Sequence, residues 1–208
     1  MLPIETLLTF FTASILLALA PGPDNIFVLI QSIYQGKKSG LMVVLGLCTG
    51  LIFHTLAVAF GVAVIFQTSQ LAFTILKLAG VCYLLYLAWK IFNAKDEKIS
   101  LNSVDKIDAK KLYFRGIIMN ITNPKVSIFF LAFLPQFTNP DLGNVSYQTR
   151  ILGLIFIVAT IIVFSSIAFL SGFISKILNE SKYTQNILNK IVSFIFVGLA
   201  IKLAMTKQ

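Results

Sequence analysis

The chain has 208 residues, of which 57% are hydrophobic and 12% charged, and its mean hydropathy is +0.88. So much apolar surface cannot be hidden in one water-solvated core, which excludes a soluble globular protein and points to an all-α, polytopic membrane protein. The net charge of +9 raises nucleic acid as a partner, but no aromatic residues interleave with the basic ones, and no nucleic-acid binding is expected.

Stretches apolar enough to cross a bilayer, which takes about 20 residues of helix, run from 6 to 34, 40 to 66, 71 to 92, 114 to 138, 150 to 173 and 187 to 206. They predict six transmembrane helices in a single domain over residues 1–208. The first stretch superficially resembles a secretory signal ending in Ala18-Leu19-Ala20. Yet Met1 to Glu5 carries no Lys or Arg and apolar sequence resumes at Ile26, so it reads as an uncleaved helix.

Pro21-Gly22-Pro23-Asp24-Asn25 interrupts that first helix. A proline removes a backbone donor and frees a carbonyl that lipid cannot satisfy, so the break must face protein or a wet cavity. Pro23 is expected to restart the helix, with Asp24 and Asn25 in its first turn, where the amide dipoles favour negative charge. An ionised carboxylate in hydrocarbon costs about 2.5 to 3.5 kcal/mol, so Asp24 should face the bundle interior with a partner or a function. A plain helix cap is the alternative.

In the second span, Gly46, Gly50, His54, Ala57 and Gly61 share one face at four- and three-residue steps, predicting close packing against a neighbouring helix. Gly80, Gly116, Gly153, Gly172 and Gly198 are expected to serve similar approaches. His54 is the sole histidine; a reference pKa of about 6.5 suits a proton carrier, while a hydrogen bond between helices is the plainer role. Cys48 and Cys82 lack CxxC spacing and read as buried, inert thiols.

The polar stretch from Asn93 to Lys111 reads as a cytoplasmic linker. It divides the chain into repeat one (about 1–93), a linker (about 94–112) and repeat two (about 113–208), each repeat with three spans. An odd number of spans per repeat makes the two repeats inverted, with a broken first helix in each. The second break is Asn123-Pro124-Lys125. Asp24 and Lys125 are then expected to meet at the midplane, the carboxylate suited to a substrate ammonium and the lysine, with free half-helix amides, to a carboxylate. Alternatively Lys125 snorkels to the interface. Asn120, Asn123 and Gln136 add amides near this break, and Phe133-Leu134-Pro135-Gln136-Phe137 reads as the far end of the span, a gate.

On this topology Lys37, Lys38, Lys90, Lys95, Lys98, Lys106, Lys110, Lys111, Arg115, Lys176, Lys182 and Lys190 lie on one side. Lys77, Arg150, Lys202 and Lys207 lie on or near the other. The asymmetry makes the first side cytoplasmic and puts both termini outside the cytoplasm. The basic loops also suit anionic membrane lipid.

Leu17 to Asn25 resembles the first-helix motif of the lysine exporter (LysE/RhtB) type translocators, in particular their homoserine/threonine efflux branch. Gly46, Gly50 and His54, then Leu76-Lys77-Leu78-Ala79-Gly80-Val81-Cys82-Tyr83-Leu84-Leu85-Tyr86-Leu87, resemble the second- and third-helix pattern, and Gly116, Asn120, Asn123-Pro124-Lys125 and Phe133 to Phe137 complete it. The resemblance spans essentially the whole chain. It implies an exporter of amino acids or related small amines from the bacterial cytoplasm, driven by the proton gradient.

Together these readings predict a secondary-active exporter of small zwitterions in the bacterial plasma membrane, not an enzyme, with no cofactor and no metal. Its substrate site comprises Pro21, Gly22, Pro23, Asp24, Asn25, Asn120, Asn123, Pro124 and Lys125, with Asp24 and His54 as proton-coupling groups. Glycine-lined faces would permit a homodimer. A thiol relay would need a cysteine at each break, and divalent-metal export would need clustered His, Asp or Glu.

Overall fold

A computed structural model describes residues 2–62, 70–93, 107–174 and 182–205. The described residues are helical, without strand. The elements are α1 (Ile4–Leu19), α2 (Pro23–Gln35), α3 (Lys37–Ala57), α4 (Gln70–Phe92), α5 (Ala109–Thr122), α6 (Pro124–Ile128), α7 (Val145–Phe169) and α8 (Lys182–Met205). A π turn, Val58–Val62, continues α3; a π turn, Phe129–Phe133, and a 3-10 turn, Leu134–Phe137, continue α6.

Both expected breaks are present. α1 and α2 form a pair bent by 62°, and α5 with the segment from Pro124 to Phe137 a pair bent by 51°. Lys37–Gly61 and Val145–Phe169 are each apolar enough and, at 25 residues, long enough to cross a membrane, and the bent pairs bring such candidates to as many as four. Exposed Leu8, Phe53, Phe60, Trp89 and Phe194 give the bundle an apolar exterior, which suits hydrocarbon because the helices satisfy their own backbone groups.

Gly36 alone joins α2 to α3, at φ +84°. That left-handed conformation is open to glycine without a Cβ penalty, so the chain can reverse in one residue. α3 then packs on α5, α7 and α2. Its closest approach is at Gly46, where a Cβ would strike the Tyr113 carbonyl and lie 3.0 Å from Gly116 Cα; a Cβ on Gly116 would lie 2.5 Å from Val43 O. Backbone meets backbone there, so neither position has space for a side chain.

Further along the same face, Gly50 receives the Asn120 side chain. Gly153 of α7 receives Thr55, and Gly80 receives Ala132 and Leu203. Three glycines depart from the expected pattern: no described atom lies within 4 Å of a Cβ built on Gly61, Gly172 or Gly198. Spacing alone marked them as contacts, yet they stand on faces that no described helix covers.

α4 packs on α8, and α1 lies between α7 and α8. One apolar cluster gathers Phe10, Phe129, Phe130, Phe133, Phe137 and Phe156, with ring centroids 4.8 to 5.1 Å apart for Phe129–Phe133, Phe133–Phe137 and Phe10–Phe137. A second gathers Val28, Val43, Leu47, Leu112 and Phe164. Residues 94–106 of the expected linker lie outside the described residues. Its end is helical, however, because Ala109, Lys110 and Lys111 are good helix formers and extend α5 beyond its apolar run. Cys48 is buried as expected, but Cys82 is exposed: it stands on the outer face of α4, beside the exposed Leu78 and Leu85.

Candidate functional site

α1 stops because Pro21 has no N–H to offer the carbonyl four residues back, that of Leu17. The orphaned end of the helix is satisfied from elsewhere. Lys125 Nζ donates to Leu17 O at 3.4 Å and to Ala20 O at 3.0 Å, and Asn25 Nδ2 donates to Ala18 O at 2.7 Å. An ammonium at a helix C-terminus also complements its dipole. Lys125 is 7% exposed, so it does not snorkel; it plugs the first break from the second.

Pro23 opens α2, as expected, after an extended Gly22. Asp24 in the first turn is 2% exposed. Its Oδ2 accepts from Asn123 Nδ2 at 2.8 Å, and its Oδ1 is buried without a partner. The carboxylate is therefore turned to the second break and makes no hydrogen bond to the amides of its own helix.

The second break has the same logic. Pro124 leaves Asn120 O without its helical donor, and two groups replace it: Asn123 N at 3.1 Å and His54 Nε2 at 3.2 Å. A carbonyl only accepts, so this bond puts a proton on Nε2. The imidazole rests near the Phe130 ring, 5.5 Å between centroids. Asn123 Oδ1 caps α6 by accepting from Lys125 N at 3.0 Å. One asparagine side chain thus starts α6 and holds Asp24.

Between the breaks lies a cavity of about 20 Å³, lined by Leu17, Ala18, Asp24, Leu47, Asn120, Lys125, Val126, Phe156, Thr160 and Phe164. That is room for about one water molecule. Asp24 Oδ1 and Asn120 Oδ1 are buried acceptors without partners, and Thr160 Oγ1 is a buried hydroxyl, able to donate or accept, that also has none. The lysine ammonium has three protons and spends two on carbonyls, leaving one.

Of the residues expected in the site, Asp24, Asn120 and Lys125 line the cavity, Asn123 links the breaks, and Pro21, Gly22, Pro23 and Pro124 shape them. Asn25 has turned its amide back to α1. His54 does not line the cavity and touches it through Asn120. Sequence reasoning missed Thr160 and the apolar wall of Leu47, Phe156 and Phe164. The one available signal was a lone hydroxyl in an otherwise apolar run from Ile151 to Phe164.

Two broken helices that meet around a small cavity with a few buried polar groups, inside an apolar bundle, define a membrane translocator. Residues 15–207 match the LysE type translocator family. The chain belongs to that family, as its motifs implied. It is 30% identical over 207 residues to the uncharacterized membrane protein YrhP of Bacillus subtilis, covering 95% of this chain and 98% of that one. It is 32% identical over 207 residues to the leucine efflux proteins of Salmonella typhimurium and Salmonella paratyphi A, covering 94% of this chain and 93% of each. No solved structure matches the chain.

Proposed function

We propose that the protein is a secondary-active exporter of amino acids, working by alternating access around the cavity between the breaks. The observation that carries this reading is the interlock. Asn123 of the second break holds Asp24 of the first, and Lys125 plugs the end of α1. Charge of both signs is thereby kept beside one cavity in an apolar bundle, where ionised groups are costly and mark a transport path. A carboxylate with a free oxygen suits a substrate ammonium, and a lysine with a free proton suits a substrate carboxylate. About 20 Å³ is too small for an amino acid, so the described arrangement is closed and loading requires the half-helices to part.

The architecture behind this reading is six spans as two inverted repeats. Packing supports it: α1 on α7 is mirrored by α5 on α3, while α3 with α7 and α4 with α8 pair across the pseudo-axis. With the basic loops cytoplasmic, both termini lie outside the cytoplasm of the bacterial inner membrane. The lining of Leu17, Ala18, Leu47, Val126, Phe156 and Phe164 favours an aliphatic side chain over the hydroxyl of homoserine or threonine. The names of the leucine efflux relatives agree with that preference. Outward flux is matched by inward protons, with Asp24 or His54 as the titrating group.

Everted membrane vesicles given a panel of radiolabelled amino acids, with and without a proton gradient, test the reading. Gradient-dependent uptake of an aliphatic amino acid, lost in Asp24→Asn, is expected. No uptake of any amino acid on the panel would overturn it, and uptake indifferent to the gradient would remove the coupling.

A further inference from the structure

We propose that Thr160 is a substrate-binding residue, forming with Asn120 Oδ1 and Asp24 Oδ1 a three-acceptor subsite for the substrate's ammonium group. The inference rests on the amino-acid exporter reading above and adds to it a residue that no motif marks.

Many described helical hydroxyls bond back along their own helix, and a buried one that does not, Ser193, donates across to Ala88 O of α4 instead. Ser14, Ser32, Thr49, Thr55, Thr122 and Ser166 each donate to the carbonyl four residues earlier, at 2.7 to 3.0 Å. That is the usual resting place of such a side chain in a helix. Thr160 is 3% exposed and has the Phe156 carbonyl available in the same register, yet its Oγ1 has no partner and lines the cavity. A buried hydroxyl left unpaired is uncommon and costly, and calls for a ligand or a water.

The other orphans at the cavity share its polarity. Asn120 is 3% exposed and presents Oδ1, with its side chain held against Gly50 of α3. Asp24 presents Oδ1, its second oxygen already used by Asn123. The three come from α5, α7 and α2, so they surround the space from separate elements. An ammonium has three protons and no acceptor, and three acceptors with one negative charge match that donor set. A carboxylate would meet like charge at Asp24 and no donor at Asn120 Oδ1, and it is matched instead by the spare Lys125 proton in the same lining.

The test compares T160V, which keeps the shape and removes the hydroxyl, with T160S, which keeps the hydroxyl. T160A is a second removal that leaves space instead of an added methyl, should T160V fold poorly. Uptake of radiolabelled leucine into everted vesicles is competed with 3-methylbutylamine, which lacks the carboxylate, and with 4-methylpentanoate, which lacks the amine. T160V is expected to weaken leucine and 3-methylbutylamine about ten-fold or more, as for one hydrogen bond to a charged group. It should leave 4-methylpentanoate unchanged, and T160S should restore the amine. Equal weakening of both competitors, or none, overturns the subsite while leaving wild-type leucine uptake, and so the exporter reading, intact. A wild-type protein that carries no amino acid overturns both.

Discussion

Asn123 donates its side-chain amide to Asp24 across 99 residues of sequence, at 2.8 Å, while its own oxygen caps α6. Asn123→Ala removes both bonds, and loss of a cap plus an orphaned buried carboxylate is expected to destabilise the protein by about 2 to 4 kcal/mol. Unfolding in detergent measures it. A change under about 0.5 kcal/mol would mean that water replaces the amide without cost.

Lys125→Met removes the ammonium from the Ala20 carbonyl, leaves Leu17 O with only the Ala20 N–H, and leaves the Asp24 charge without its neighbouring cation. A loss of about 3 kcal/mol is expected. Adding Asp24→Asn removes the uncompensated charge, so the double variant should be more stable than Lys125→Met alone. A thermodynamic cycle over the four proteins reads the coupling, and strictly additive losses would show that the two charges do not feel each other.

Pro124→Ala gives Asn120 O a helical N–H again and should relieve His54 of its partner. His54→Ala is expected to cost about 1 kcal/mol in the native background and close to nothing beside Pro124→Ala. The same substitution straightens the 51° bend and is expected to abolish transport while leaving the protein folded. Equal costs of His54→Ala in both backgrounds would separate the histidine from the break.

Gly46→Val drives a side chain into the backbone of α5 and should destabilise by about 2 to 4 kcal/mol. Gly198→Ala, with open space around it among the described residues, should be neutral or stabilise by up to about 1 kcal/mol. Thermal unfolding of the two variants side by side checks the contrast, and similar losses would contradict the packing.

Both breaks and the apolar segments were legible in the sequence because lipid imposes a coarse rule: length, apolarity and proline placement decide where helices run. The pairing of Asp24 with Asn123 was not, since two elements 99 residues apart must dock before either side chain has a partner. Lys125 was read as facing Asp24 and a substrate, and two of its protons go to α1 carbonyls that only the docked structure brings near. Thr160 escaped notice because a hydroxyl in a membrane helix ordinarily bonds its own backbone, and the sequence does not record that this one does not. The π turns Val58–Val62 and Phe129–Phe133 have no sequence signal at all; the second carries Phe129, Phe130 and Phe133 of the apolar cluster.

The single-residue link at Gly36 has a mechanical consequence. With one glycine between them and packed surfaces between the two helices, bending at that end would have to break the α2–α3 packing. The other end of α2 is the Ala20 to Gly22 link, the less costly pivot for a displacement of the carboxylate, and there the Lys125 ammonium sits. On the exporter reading proposed above, the ammonium of Lys125 ties the second break to that pivot, and a substrate carboxylate that drew it away would free the pivot to turn.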